Sequence, residues 1–269
     1  MLNPRRLLLI VLLSFVGISG CKDKSGVSTD PAPVPVEKNA GLSAEVLQQA
    51  VVLKNRGIGH LENKEWADAE KQLGELAKLL PNNQLALRNL AIARVLPMID
   101  AESPYTPGSP EHGQAAEQAK AAVMAYQQFQ GDAYDTALAD LLMGKLLVSL
   151  PSAFEEGIQS LRKAADGAPE HVDFRFALAM AMDGHRIYSD RNSDRPAELI
   201  AEFQACHKQA PENIFALIKL LQRQALSLSS KNEATVSAAA ELDETLKAAA
   251  NLLAPFNESL KSVMAVRVM

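Results

Sequence analysis

Aromatic side chains are scarce, 5% of 269 residues with a single Trp. That scarcity disfavours a sheet protein, which draws on β-branched and aromatic residues. Cysteine is scarcer still: only Cys21 and Cys206 are present, so no framework of intramolecular disulfides is available. No apolar run is a comfortable membrane span, the longest being the stretch at residues 7–16. Excess positive charge is missing too. The formal charge is −5, and removal of residues 1–20 takes away Arg5 and Arg6 and leaves −7, which argues against a nucleic-acid binder acting through a net positive field. What is present is 48% hydrophobic residues dominated by Leu and Ala, with 14 Gly and 14 Pro scattered among them. This composition buries a core and excludes collagen-like and wholly disordered classes. The expected fold class is all-α.

The first 21 residues are organised as a leader. Arg5-Arg6 precedes the apolar stretch, and Ile18-Ser19-Gly20-Cys21 follows it, giving a charged n-region, an h-region and a small-residue cleavage site. Ile18-Ser19-Gly20-Cys21 resembles the lipobox of bacterial lipoproteins, which implies a signal peptide over 1–20 and lipidation at Cys21. Several acyl chains, at about 0.8 kcal/mol per buried methylene, would hold such a protein stably at a membrane. By the same resemblance, Lys22 after the cysteine favours sorting to the outer membrane with the domain facing the periplasm. Residues 21–40 are polar and include Asp30-Pro31-Ala32-Pro33-Val34-Pro35, where each Pro removes a donor and favours extended backbone; they read as a disordered tether.

The body, 41–254, carries a repeat. Apolar positions recur at helical spacing at Leu47, Ala50/Val51, Lys54 (by its stem), Gly57/Ile58 and Leu61, and again at Trp66, Ala69, Leu73, Leu76/Ala77 and Leu80. This 34-residue unit, from Ala50 to Asn83, resembles a tetratricopeptide repeat. Gly57 and Ala69 stand at its small contact positions, Trp66 at its aromatic position, expected in the core, and Pro81 at its terminal proline. Leu73 and His60 depart from the usual Phe and Tyr. Pro169, Pro211 and Pro255 repeat the terminal proline, preceded by Leu161/Ala164, Phe203/Cys206 and Leu246/Ala249. Surplus residues fall in 97–113, which is expected not to be helical, in 184–195 and in 227–232. Ser152 and Glu155 form an expected capping box for a helix at 154–165. Five helix pairs follow, at 43–80, 84–130, 133–167, 171–210 and 213–254, stacked as a tetratricopeptide-like solenoid because a single pair cannot bury its own face. Residues 255–269 remain as a tail that reads as truncated or as packing on something else.

Catalytic and cofactor signatures are missing. No two of the five histidines share i, i+4 spacing, and there is no HExxH, CxxCH, GxGxxG or GxxxxGK[ST] pattern. Neither a metal nor a cofactor is expected. Cys206-His207 is the one Cys/His pair, but neighbours on a helix point roughly 100° apart, so Cys206 reads as a buried, inert thiol. The loop from Asp183 to Arg195 gathers Arg186, Arg191 and Arg195 with three Asp and a Tyr; it reads as a self-neutralised connection, with an anion clamp as the alternative. In the tetratricopeptide family the first helix of each pair lines a concave face. The resemblance puts Lys54 and Ile58, Arg88 and Ile92, Phe176 and Met180, and Ile218 and Gln222 there as a partner-binding groove, suited to an extended peptide with an acidic end.

Together these readings point to a non-catalytic, membrane-anchored scaffold that binds another envelope protein or peptide and no nucleic acid. The alternative is the helical part of a larger secreted protein with a calcium- and carbohydrate-binding β-propeller: Leu53-Lys54-Asn55-Arg56-Gly57 and Asn89-Leu90-Ala91-Ile92-Ala93 are similar to segments of proteins in which tetratricopeptide halves precede such a propeller. An enzyme built on Cys206-His207 ranks behind both.

Overall fold

The computed structural model describes residues 42–129, 131–189, 194–230 and 236–266. The leader, Cys21 and the Pro-rich tether lie outside the described residues. Among those described, every α or β element is helical: α1 (Ala44–Glu62), α2 (Trp66–Leu79), α3 (Gln84–Ile99), α4 (Pro110–Gln127), α5 (Ala133–Val148), α6 (Phe154–Gly167), α7 (Val172–Gly184), α8 (Arg195–Gln209), α9 (Ile214–Ser230) and α10 (Val236–Val266). Short 3₁₀ turns cover Pro151–Ala153 and Arg186–Ser189. No described helix is long and apolar enough to cross a membrane.

Side-chain caps start several helices by accepting an orphan N–H of the first turn. Ser43 takes the Val46 amide, Asn83 that of Ala86, Ser109 that of His112, Asp132 that of Asp135 and Asn213 that of Ala216. The capping box expected at Ser152 does not form: Pro151–Ala153 turns as 3₁₀, and Ala153 precedes α6 with no side-chain cap. The non-helical stretch expected at 97–113 is also shorter. Pro97 lies in the last turn of α3, with only Met98 and Ile99 after it, and Pro110 opens α4, where its fixed φ suits the first helical position and an N–H would have had no partner within the helix. Only residues 100–109 connect them.

The chain divides into two compact units, Met1–Pro81 and Asn82–Met269. In the first, α1 and α2 fold back on each other through a three-residue turn, with Lys64 at φ 60° and the Glu65 N–H donating to the His60 carbonyl at 2.9 Å. Ala50, Leu53, Gly57 and Leu61 meet Ala69, Leu73, Leu76 and Ala77. This corrects the expected stripe, because Leu47 and Val51 are exposed. Gly57 explains the rotation. A Cβ there would stand 2.5 Å from Leu73 Cγ, so the backbone of α1 approaches α2 at Gly57, drawing Ala50 and Leu53 inward and turning Leu47 and Val51 out. Trp66 is half-buried rather than core.

In the second unit the substantial helix contacts join neighbours in the chain. Each of α3 to α9 packs on the next helix, α9 also packs on α10, and the further contacts are α3 with α5 and α5 with α7. The tightest crossing is between α5 and α6: a Cβ on Gly144 would lie 2.9 Å from the Gly157 carbonyl oxygen, and one on Gly157 would lie 2.6 Å from the Val148 amide nitrogen. Phe203 and Cys206 are fully buried on α8, as Leu161 and Ala164 are on α6. On α10 the expected Leu246 is exposed and Thr245 is buried instead. Pro255, expected to close the last pair, stands within α10, which runs on to Val266.

Candidate functional site

The eight groove positions are divided between the two units. Lys54 and Ile58 lie half-buried on α1, in the first unit, and the other six lie in the second. Ile92 is 4% exposed and belongs to the core. Arg88 is not a free cation: its guanidinium stands 3.6 Å from Asp135 Oδ1 on α5. Asp135 also accepts from Gln84 Nε2, and from the Tyr126 hydroxyl at 2.5 Å. Burial, with that carboxylate beside it, pushes the Tyr126 phenol well above its usual range. These residues tie α3, α4 and α5 together, so Arg88, one of the two cations expected at the basic end of the groove, belongs to a structural network.

The apolar end fares better. Phe176 and Met180 are half-buried on α7, the Phe176 ring meeting Phe203 edge-on at 6.4 Å. Ile218 is 41% exposed on α9, and Gln222 is exposed a turn further on. Spacing within either helix could not disclose what links them. Asp183, 7% exposed in its side chain, receives Lys219 Nζ at 2.8 Å and is also bound by Arg223 Nε, while Arg223 Nη2 donates to the Asp183 carbonyl at 3.0 Å. This ion-paired link fastens α7 to α9 and sets Phe176 and Met180 on one rail and Ile218 and Gln222 on the other. An aromatic trio, Tyr134, His171 and Phe174, joins α5 to α7 with centroids 4.8–5.7 Å apart.

Other candidates resolve into structural roles. Cys206 is a free, fully buried thiol whose burial pushes its pKa up to about 12, so it stays protonated and unreactive. In the described part of the 183–195 loop the charges pair outward rather than with one another, Asp183 with α9 and Arg195 with α6 and α8. Arg195 donates to Glu198 at 3.2 Å and to the Tyr188 hydroxyl at 3.3 Å, and Tyr188 is 1% exposed. Residues 190–193 and the Arg186 side chain lie outside the described set. Glu202 bridges Arg162 on α6 and Arg175 on α7 at 3.5 and 2.8 Å, buttressing α8. Lys145, on α5, has its pKa pulled down to about 8 by burial, partly offset by Asp173.

One group among the described residues has the donor types of a metal site. His60, Glu65 and Asp68 place ligand atoms within 4.8 Å of one another where α1 ends and α2 begins. His60 Nδ1 already lies 2.5 Å from Glu65 Oε2, and a His at a helix end facing acids at a helix start suits both dipoles without an ion. Alongside, an open groove of about 550 Å³ lies between α1 and α2, lined by Glu45, Gln49, Val52 and Arg56 of α1 and Lys71 and Glu75 of α2. Comparison with protein-family models and with curated proteins finds no match to the chain.

Proposed function

We propose that the chain is a non-catalytic scaffold of the bacterial cell envelope, lipid-anchored through Cys21, whose tetratricopeptide-like helix pairs hold another protein. The observation that carries this reading is the contact order of the second unit: helices pack on the next in the chain, and α3, α5 and α7 also touch in succession. Repeat stacks make this pattern, because each pair offers its face to its neighbour. Small-residue contacts at Gly57 and at the Gly144–Gly157 crossing support the same reading, since paired helices approach this closely only where a side chain is missing. The anchor rests on Ile18-Ser19-Gly20-Cys21 and Lys22, which favour the outer membrane and a periplasm-facing domain.

The partner is a segment that lays apolar side chains on the α7–α9 rails. With Arg88 neutralised by Asp135, the groove no longer selects an acidic end. Phe176, Met180 and Ile218 supply apolar contact, and Gln222 supplies a hydrogen-bonding group at the rim. Photo-crosslinkers at Ile218 and Gln222 should capture the same envelope protein, and one at the exposed Glu244 should not. Equal capture from all three positions would remove the groove. Labelled fatty acid should be incorporated by the wild type and lost in Cys21→Ala; a persisting label would remove the anchor.

A further inference from the structure

Where α1 ends and α2 begins, three side chains from the two sides of one turn converge. His60 lies in the last turn of α1, Glu65 stands just before α2, and Asp68 lies in the first turn of α2. Their ligand atoms, one imidazole nitrogen and two carboxylate oxygens, all lie within 4.8 Å of one another. Ligands of one ion, at bonds of about 2.0–2.2 Å, stand roughly 3 to 4 Å apart, so small rotations of the exposed carboxylates complete the set. Two further observations mark these carboxylates. Glu65 holds the N-cap position of α2, yet its side chain makes no capping hydrogen bond and turns to His60 instead. Asp68 has no hydrogen-bonding or ion-pairing partner among the described residues. Helix dipoles account for the signs of the three charges, but not for their convergence on one point. An entry path is present as well: His60 follows Arg56 by four residues and Asp68 precedes Lys71 by three, spacings that share a helix face, so both border the open groove between α1 and α2.

We propose that His60, Glu65 and Asp68 form a binding site for a divalent transition cation such as zinc or cobalt. One imidazole with two carboxylates and no sulfur suits such ions, whereas calcium and magnesium favour oxygen ligands and copper(I) favours sulfur. The ion takes the place of the His60–Glu65 hydrogen bond and draws in Asp68, whose carboxylate has nothing else to bind. Three protein ligands leave coordination open, and water from the groove fills it, so the ion is exchangeable rather than sealed in. Held by both helices, it fastens the turn between α1 and α2. This site is independent of the scaffold reading and needs no catalytic role.

Cobalt(II), which is paramagnetic, tests this on the full chain carrying Cys21→Ser, where no thiol in the leader competes for the ion. At less than one equivalent, amide signals should broaden or shift most at residues 60–68. Titration calorimetry with the same ion should show a site weakened at least about tenfold by His60→Ala, Glu65→Gln or Asp68→Asn, each with an unchanged helical circular dichroism spectrum. Glu62→Gln removes an exposed carboxylate of the same helix end outside the group and should bind as the parent does. No binding up to about 1 mM overturns the proposal and leaves the group an ion pair favoured by the helix ends. Signal changes spread over the acidic helix faces, binding that survives all three substitutions, or an equal loss in Glu62→Gln overturns it as well.

Discussion

At the scale of single residues, glycines divide by what a methyl group would strike. Gly144 and Gly157 face backbone atoms across the α5–α6 crossing, so Gly144→Ala forces the helices apart and should cost about 1–3 kcal/mol despite its gain in helix propensity. Gly59 and Gly74 lie in α1 and α2 with nothing near the added Cβ, and Gly59→Ala and Gly74→Ala should each stabilise by about 0.5–1 kcal/mol. Thermal denaturation of the three variants checks both signs. Lys145 supplies a pH test. Folding lowers its pKa to about 8, so below that the folded chain must hold a charge in a poorly solvated place. The unfolded chain binds that proton more tightly, and stability rises as pH climbs from about 8 toward the ordinary lysine value. Lys145→Met should gain about 1–2 kcal/mol at pH 7, allowing for partial solvent access, and lose the rise; equal slopes for both proteins would remove Lys145 as its source.

Helices were legible where local chemistry decides them. The pair read at 43–80 spans α1 and α2 almost to the residue, because Ser43 caps one end and a short turn separates two periodic stretches. Boundaries resting on proline were less legible: Pro97 and Pro255 each stand inside a helix, whose remaining hydrogen bonds outweigh the one that each proline removes. The face each helix buries could be read only to within one position, as Leu47 and Val51 show, because the partner sets the rotation through Gly57. Of the candidate site, Phe176, Met180, Ile218 and Gln222 kept their exposure or half-exposure. Ile92 did not, because it meets a core that periodicity alone cannot rank, and Arg88, though half-exposed, is paired with Asp135, 47 residues away in sequence. The Asp183 link, spanning 36 and 40 residues, was equally hidden. Asp183→Asn leaves Lys219 and Arg223 without their carboxylate and should cost about 1–3 kcal/mol. It should also weaken crosslinking from Ile218 if α7 and α9 must stay in register.

For the second unit as a whole, near-neighbour packing means that damage stays local. Gly157→Leu should raise amide hydrogen exchange most in α5, α6 and α7 and least in α9 and α10, which share no substantial contact with α6. A uniform rise along the unit would show one indivisible core instead. The same packing bears on the order of events when the chain first folds. A helix that needs only the next one or two in sequence closes short loops, so little chain entropy is lost before contacts repay it, and folding of such topologies is fast. During synthesis α3, α4 and α5 can settle before α9 has been made. The growing chain then leaves little more than its newest helix waiting for a partner, and each new helix covers the apolar face the last one left open.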